Sequence, residues 1–213
     1  RYALSTGDEE LINIATDYAL GMVEEVRGKN WIEPTSFAPE GYFHYAAQDY
    51  SFTNDVDGGE EGATALSTWK YYDRVYKLGE IAKITGNEQL VEGFLKCLPF
   101  VQALKTEDGY KQPVSFDLYT REPLTGYEGG GSAGATAMWA FIHFLAYDLT
   151  GNSEYLNEAV GAIDYASQLG FEDMRLMRNY PKPLAIAWVI RTCVKAYEET
   201  GDYKFIERAE TVL

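Results

Sequence analysis

Cysteine and histidine are nearly missing from this 213-residue chain, which has two of each: Cys97, Cys193, His44 and His143. Neither cysteine belongs to a CxxC or Cys/His spacing, so the usual zinc ligand sets are excluded, and two histidines cannot furnish a His-rich metal centre. Both cysteines fall inside helical patterns in different parts of the chain, which reads as two buried free thiols rather than a disulfide. Positive charge is scarce as well. The chain has 18 Lys and Arg against 33 Asp and Glu, a formal net charge of −15. Nucleic-acid binding, which depends on cations that neutralise phosphates, is excluded on that balance, and an anionic membrane surface is disfavoured. No stretch reaches the roughly 18 apolar residues of a membrane span. The longest candidate, 133–149, contains His143 and Asp148 and reads as a buried helix. There is no GxxxxGK[ST], no GxGxxG between strand and helix, and no GxSxG, so nucleotide-binding and Ser-His-Asp chemistries have no footing.

What is present is a phrase that recurs four times: Thr6-Gly7-Asp8, Thr85-Gly86-Asn87, Thr150-Gly151-Asn152 and Thr200-Gly201-Asp202. An acidic residue follows the first three within two positions (Glu9, Glu88, Glu154), and an apolar pair comes soon after all four. Gly just past a helix end can take the left-handed conformation that closes the last carbonyls. The Asn or Asp after it can accept from the free N–H groups that open the next helix. The phrase is therefore a helix–turn–helix joint. Segments after each joint carry one apolar stripe at helical spacing. In 8–26 the stripe is Leu11, Ala15, Tyr18, Met22 and Val26; in 88–104 it is Val91, Phe94, Leu98 and Val101, with a kink expected at Pro99; in 153–169 it is Leu156, Ala159, Val160 and Ile163. Segments before the joints differ. The stretch 135–149 is apolar almost all round, and 184–197 is interrupted mainly by Arg191 and Lys195. Helices apolar on every side are buried on every side, so the pattern predicts inner and outer layers.

The segment 62–84 departs from this scheme, with a polar stripe of Lys70, Asp73, Arg74, Lys77 and Glu80. Two placements stay open for it: a seam, or a face that another part of the molecule covers. Internal duplication shows in Gly58-Gly59-Glu60-Glu61-Gly62-Ala63-Thr64-Ala65 against Gly130-Gly131-Ser132-Ala133-Gly134-Ala135-Thr136-Ala137, each leading into a helix that bears a tryptophan, Trp69 or Trp139. The joint threonines are 79, 65 and 50 residues apart, too irregular for a solenoid with a fixed period of about 34 residues. The variation lies in the connections from outer to inner helices, 27–62, 106–133 and 170–182. In a hairpin array these must gather at one end, opposite the short joints, and long loops of this kind usually carry function.

The helix–Thr-Gly-Asn/Asp–helix joints, the Gly-Ala-Thr helix starts and Asp108-Gly109-Tyr110 resemble the (α/α) toroid superfamily of six-hairpin glycosidases and related polysaccharide lyases. The stretch 62–111 is also loosely similar to family-ten pectate lyases. The resemblance implies an all-α array of antiparallel helical hairpins, an (α/α) toroid or part of one, whose inner-helix N-termini and loops frame a carbohydrate cleft. About three and a half hairpins are expected in a single domain over 1–213, a piece of a longer chain, since 1–5 and 207–213 both read as interrupted helices. The rest of that chain is then an expected partner. Secreted and cytoplasmic placements both stay open.

The expected activity is glycoside hydrolysis of an oligo- or polysaccharide, which needs two carboxyls across the cleft, one acid and one base or nucleophile. Long-loop carboxylates include Asp49, Asp55, Asp57, Glu60 and Glu61, then Asp117, Glu122 and Glu128, then Glu172 and Asp173. Asp57 and Glu128 are the preferred pair because both flank Gly-rich approaches to inner helices. The plainer readings are that Glu60 and Glu61 complement a helix N-terminus and that a chain with 33 acids has carboxylates in every loop. A lyase would instead use His44-Tyr45, Lys111, Arg121 or Arg175 to Tyr180, and a non-catalytic scaffold binding a glycan or protein is the rival from another class. Loop aromatics suit the C–H faces of sugars. The expected substrate-binding set is His44, Tyr45, Tyr50, Tyr110, Tyr127, Arg178 and Tyr180, while Trp69, Trp139, Trp188 and His143 read as core. No cofactor or metal is expected. Asp55-Val56-Asp57-Gly58 echoes part of a calcium loop, but Thr53 and Thr64 stand where an EF-hand needs acids, so a turn is the better reading and calcium a lesser alternative.

Overall fold

The structure is a computed structural model that describes residues 8–26, 65–105, 109–113, 115–117, 133–169 and 182–212. Among these residues seven helices form: α1 (Glu9–Val26), α2 (Thr68–Thr85), α3 (Glu88–Ala103), α4 (Ala133–Thr150), α5 (Ser153–Ala166), α6 (Lys182–Thr200) and α7 (Lys204–Val212). Helices α2, α4 and α6 lie side by side with α4 in the middle, and α3, α5 and α7 back them. Helix α1 joins the outer layer against α3 and α2. The chain is an all-α array of antiparallel helical hairpins in two layers, part of an (α/α) toroid.

Thr6 and Gly7 lie outside the described residues; the other three Thr-Gly joints work as the sequence suggests, with one addition. Gly86, Gly151 and Gly201 take φ of 63°, 68° and 70°, and their N–H groups close onto Ala82, Tyr147 and Tyr197 carbonyls at 2.9, 2.7 and 2.8 Å. Asn87, Asn152 and Asp202 cap the next helix through their side-chain oxygens. The added element is threonine. Thr150 Oγ1 donates back to the Ala146 carbonyl at 2.7 Å and accepts from the Asn152 N–H at 3.2 Å. Thr85 and Thr200 repeat both bonds, so one hydroxyl ties the end of one helix to the start of the next. At the first joint Asp8 caps α1 by accepting from Leu11 N–H.

Helix α4 is the centre of the core, with every residue from Ala133 to Ala146 buried. Its Trp139 indole donates to the Val101 carbonyl of α3 at 3.1 Å, and Thr192 of α6 donates to the Ala137 carbonyl at 3.1 Å. Tyr71, Tyr72, Phe94, Phe100 and Phe205 from the other helices are fully buried, as is its own Phe144, each worth about 2 kcal/mol of apolar burial. Cys97 and Cys193 are buried free thiols, and α3 continues through Pro99. Among the described residues no helix is long and apolar enough to cross a membrane.

Three expectations need correction. The buried face of α1 is set by Ala19 and Val23, whereas Leu11 and Tyr18 of the expected stripe are 40% and 59% exposed and Ala15 is half-buried. The reason is a close approach to α3. A Cβ on Gly93 would come within 2.6 Å of Val23 Cγ2, so the face that docks is set by where α3 lacks a side chain. Helix α6 is not buried all round, since Leu184, Val194 and Tyr197 are exposed while Ala185, Val189, Cys193 and Ala196 are buried. The duplicated Gly-Ala-Thr segments also diverge. Ala133 opens α4 directly, whereas Ala65–Ser67 forms a strand, β1, before α2 begins at Thr68. This strand pairs antiparallel with β2 (Ser115–Asp117), Leu66 opposite Phe116, and the pairing takes up the backbone groups that a longer helix would have used. The ribbon lies at the end opposite the Thr-Gly joints, where β1 feeds the N-terminus of α2.

Candidate functional site

The concave face of the inner layer carries the densest chemistry among the described residues. Tyr76 of α2 and Trp188 of α6 reach towards each other over α4, with ring centroids 4.7 Å apart and planes at 75°. Phe141 of α4 completes the group at 6.4 Å from Tyr76 and 5.7 Å from Trp188. The Arg191 guanidinium lies 4.2 Å from the Phe141 centroid, 4.8 Å from Trp188 and 5.3 Å from Tyr76. Cation–π attraction of this kind strengthens as the site loses water. Arg191 also pairs with Glu80 across from α2. Part of the α2 polar stripe thus turns to the concave side, and the opposite charge waits on α6.

Towards the short-joint end the same face holds Asp148, which pairs with Lys83 at 2.6 Å and Lys195 at 3.0 Å; Lys195 pairs with Glu199 as well. Burial alone would lower the Lys195 pKa, but its bonds to Glu199 and Asp148 outweigh this and the net shift is upward. Burial raises the Tyr76 phenol, and Asp73 adds to the rise. A cavity of about 450 Å³ opens here, lined by residues that include Glu80, Phe141, Leu145, Asp148, Arg191 and Lys195. That volume falls in the range of small-molecule sites, roughly 300–1,000 Å³. Of the three rings Phe141 lines this cavity, while Trp188 is buried behind Arg191; Phe141, Ile84 and Leu145 give an apolar patch, and the charged pairs beside it can bond hydroxyls.

Of the site residues expected from sequence, Asp57, Glu128, His44, Tyr45, Tyr50, Tyr127, Arg178 and Tyr180 lie outside the described residues, as does the 55–58 turn. Tyr110 is described, and the structure sets it on the outer side of α4. Its ring is 6.1 Å from Trp139, its hydroxyl end fills the space left by Gly161 of α5, and Lys105 stands 4.3 Å over it. The backbone carbonyl of Tyr110 accepts from Gln112, whose Oε1 takes a 2.6 Å bond from Tyr72. His143 is core, as expected, but only half satisfied. Its Nδ1 bonds the Trp139 carbonyl at 2.9 Å, while Nε2 has no partner among the described residues. A carbonyl only accepts, so Nδ1 carries the proton, and burial holds the ring's pKa down at about 4. Among the described residues no group of three His, Cys, Asp or Glu could hold a metal ion.

Sequence reasoning placed Trp188 in the core, where it is buried, but did not bring Tyr76, Phe141 and the Glu80–Arg191 pair together around it. The available signal was charge in the wrong place: Glu80 and Arg191 each sit on a helix expected to be inner, with opposite signs.

The described helices define the class at the level of fold, part of a helical-hairpin toroid. No family model and no curated protein matches the chain. Among solved structures the chain is similar to the crystal structure of a sugar epimerase from a ruminal bacterium, with a TM-score of 0.57 and 20% identity. The match covers 72% of this chain and 42% of that one, and at that identity it establishes the fold alone.

Proposed function

We propose that the chain is part of a carbohydrate-active enzyme that takes a sugar on the concave face of α2, α4 and α6. The observation that carries this reading is the Tyr76–Phe141–Trp188 group around Arg191, on a scaffold shared with a sugar epimerase. Sugars present C–H faces to rings and hydroxyls to paired charges, and the cavity on this wall is lined by Phe141 together with Glu80, Asp148, Arg191 and Lys195. For the reaction, the first reading is glycoside hydrolysis, as the glycosidase resemblance implies, with Asp57 and Glu128 as the acid/base pair in the loops that lead to α2 and α4. His44, Tyr45, Tyr50, Tyr127, Arg178 and Tyr180 would then serve the same sugar from the loop rim. The likeness to the epimerase supports a second reading, in which a proton leaves one face of a sugar carbon and returns to the other.

Incubation with a panel of neutral oligosaccharides and monosaccharides in deuterated water separates these. Hydrolysis releases new reducing ends and stops in Asp57→Asn and Glu128→Gln with thermal stability unchanged. Epimerisation changes a sugar's configuration with solvent deuterium incorporated and no new reducing end. An unsaturated, ultraviolet-absorbing product would indicate elimination. Absence of turnover on every sugar would overturn the enzyme reading and leave a binding scaffold.

A further inference from the structure

A second cavity, about 540 Å³, opens on the convex side between α3 and α5, lined by Gln102, Tyr110, Glu154, Tyr155, Asn157 and Glu158. It is separated from the concave wall by the whole thickness of α4, which is buried throughout its first 14 residues. The two tyrosines are not loose surface rings. Tyr110 rests on Trp139 with centroids 6.1 Å apart, and Tyr155 rests on His143 at 6.0 Å. Trp139 and His143 are themselves stacked at 3.7 Å. Gly161 leaves the room that Tyr110 fills. Around these fixed rings stand planar polar groups: the amides of Gln102 and Asn157 and the carboxylates of Glu154 and Glu158, with Lys105 holding Glu158 at 2.9 Å.

We infer that this crevice is an accessory site for a neutral oligosaccharide. Anchored rings beside amides and carboxylates can present a flat apolar contact together with donors and acceptors at its rim, which is what a sugar ring requires. A peptide would ask for deeper apolar anchors than this mostly polar lining provides. The two carboxylates, of which only Glu158 pairs with a cation among the described residues, select against uronates. On this inference Tyr110 contacts sugar, but from the convex side. The choice of sugar as ligand class rests in part on the reading proposed above, whereas the site is independent of the concave wall.

The test is a titration with maltotetraose, cellotetraose, chitotetraose and tetragalacturonate, followed by saturation-transfer NMR on four proteins. These are the parent chain, Tyr76→Ala on the concave wall, Asn157→Ala with Glu154→Gln in the crevice, and all three changes together. Asn157 and Glu154 are exposed, so the crevice variant keeps its fold. At least one neutral tetrasaccharide should bind Tyr76→Ala, and adding the crevice changes should weaken that binding about tenfold or more. Tetragalacturonate should not bind there. Unchanged binding in the triple variant, no binding of neutral sugar by Tyr76→Ala, or tighter binding of tetragalacturonate would each overturn the inference. Binding by the crevice variant that is lost only on adding Tyr76→Ala reports the concave wall by itself.

Discussion

At the residue scale, threonine at the joints does more than fill a turn. The Thr150 hydroxyl bonds backward to Ala146 and forward to Asn152, and valine has the same shape without either bond. Thr150→Val should lower stability by about 1–2 kcal/mol, read as a drop in the urea midpoint with unchanged slope. A change within 0.3 kcal/mol, on the same scale of net hydrogen-bond worth, would mean that the hydroxyl is idle. His143 gives a second residue-scale expectation. Its pKa falls from 6.5 to about 4 on burial, so between those values the unfolded chain binds a proton that the folded chain refuses. The contribution is complete above pH 6.5 and is lost as pH falls through 4, on the order of 3 kcal/mol in total. Subtracting the pH–stability curve of His143→Gln from that of the parent should leave this slope. A flat difference would show that His143 titrates normally.

At the element scale, the docking of α1 turns on one missing side chain. Gly93→Ala puts a Cβ into Val23, and overpacking of this type destabilises by roughly 1–3 kcal/mol. Val23→Ala removes the obstructing methyls, so the double variant should recover much of the loss in a thermodynamic cycle. Additive losses would mean that the two helices do not meet there. This contact also shows where sequence reading stops. The joints are local chemistry, each contained in three neighbouring residues, and Gly86, Gly151 and Gly201 could be read directly. The buried face of α1 depends on Gly93, some seventy residues away, and periodicity alone chose the neighbouring stripe. The β1–β2 ribbon, three residues on each side and about fifty apart in sequence, carries no periodic signal long enough to detect.

At the scale of the whole molecule, the layer order followed from polarity. The all-round apolar pattern of 135–149 could mean only a helix covered on both sides, and α4 is that helix. What composition could not show is which side chains meet in that cover. Tyr76, Phe141 and Trp188 look like ordinary core in sequence, and only the packing of α2 and α6 on either side of α4 brings them around Arg191. The 450 Å³ cavity lies towards the short-joint end of this wall, whereas the expected acid and base come from the loops at the other end. Substrate would then contact the wall along its length, and both ends should matter. Glu80→Gln, which keeps a hydrogen bond to Arg191 but removes the charge, should weaken sugar binding more than it lowers stability. Equal effects on the two would assign the pair to structure alone.

The central claim is that the concave face of the inner helices receives a sugar, and hydrogen exchange tests it most directly. With a turned-over oligosaccharide at saturation, amide protection should rise in peptides that span Tyr76–Glu80, Phe141–Asp148 and Trp188–Lys195. Protection confined to other segments, or none with any sugar on the panel, would contradict the account.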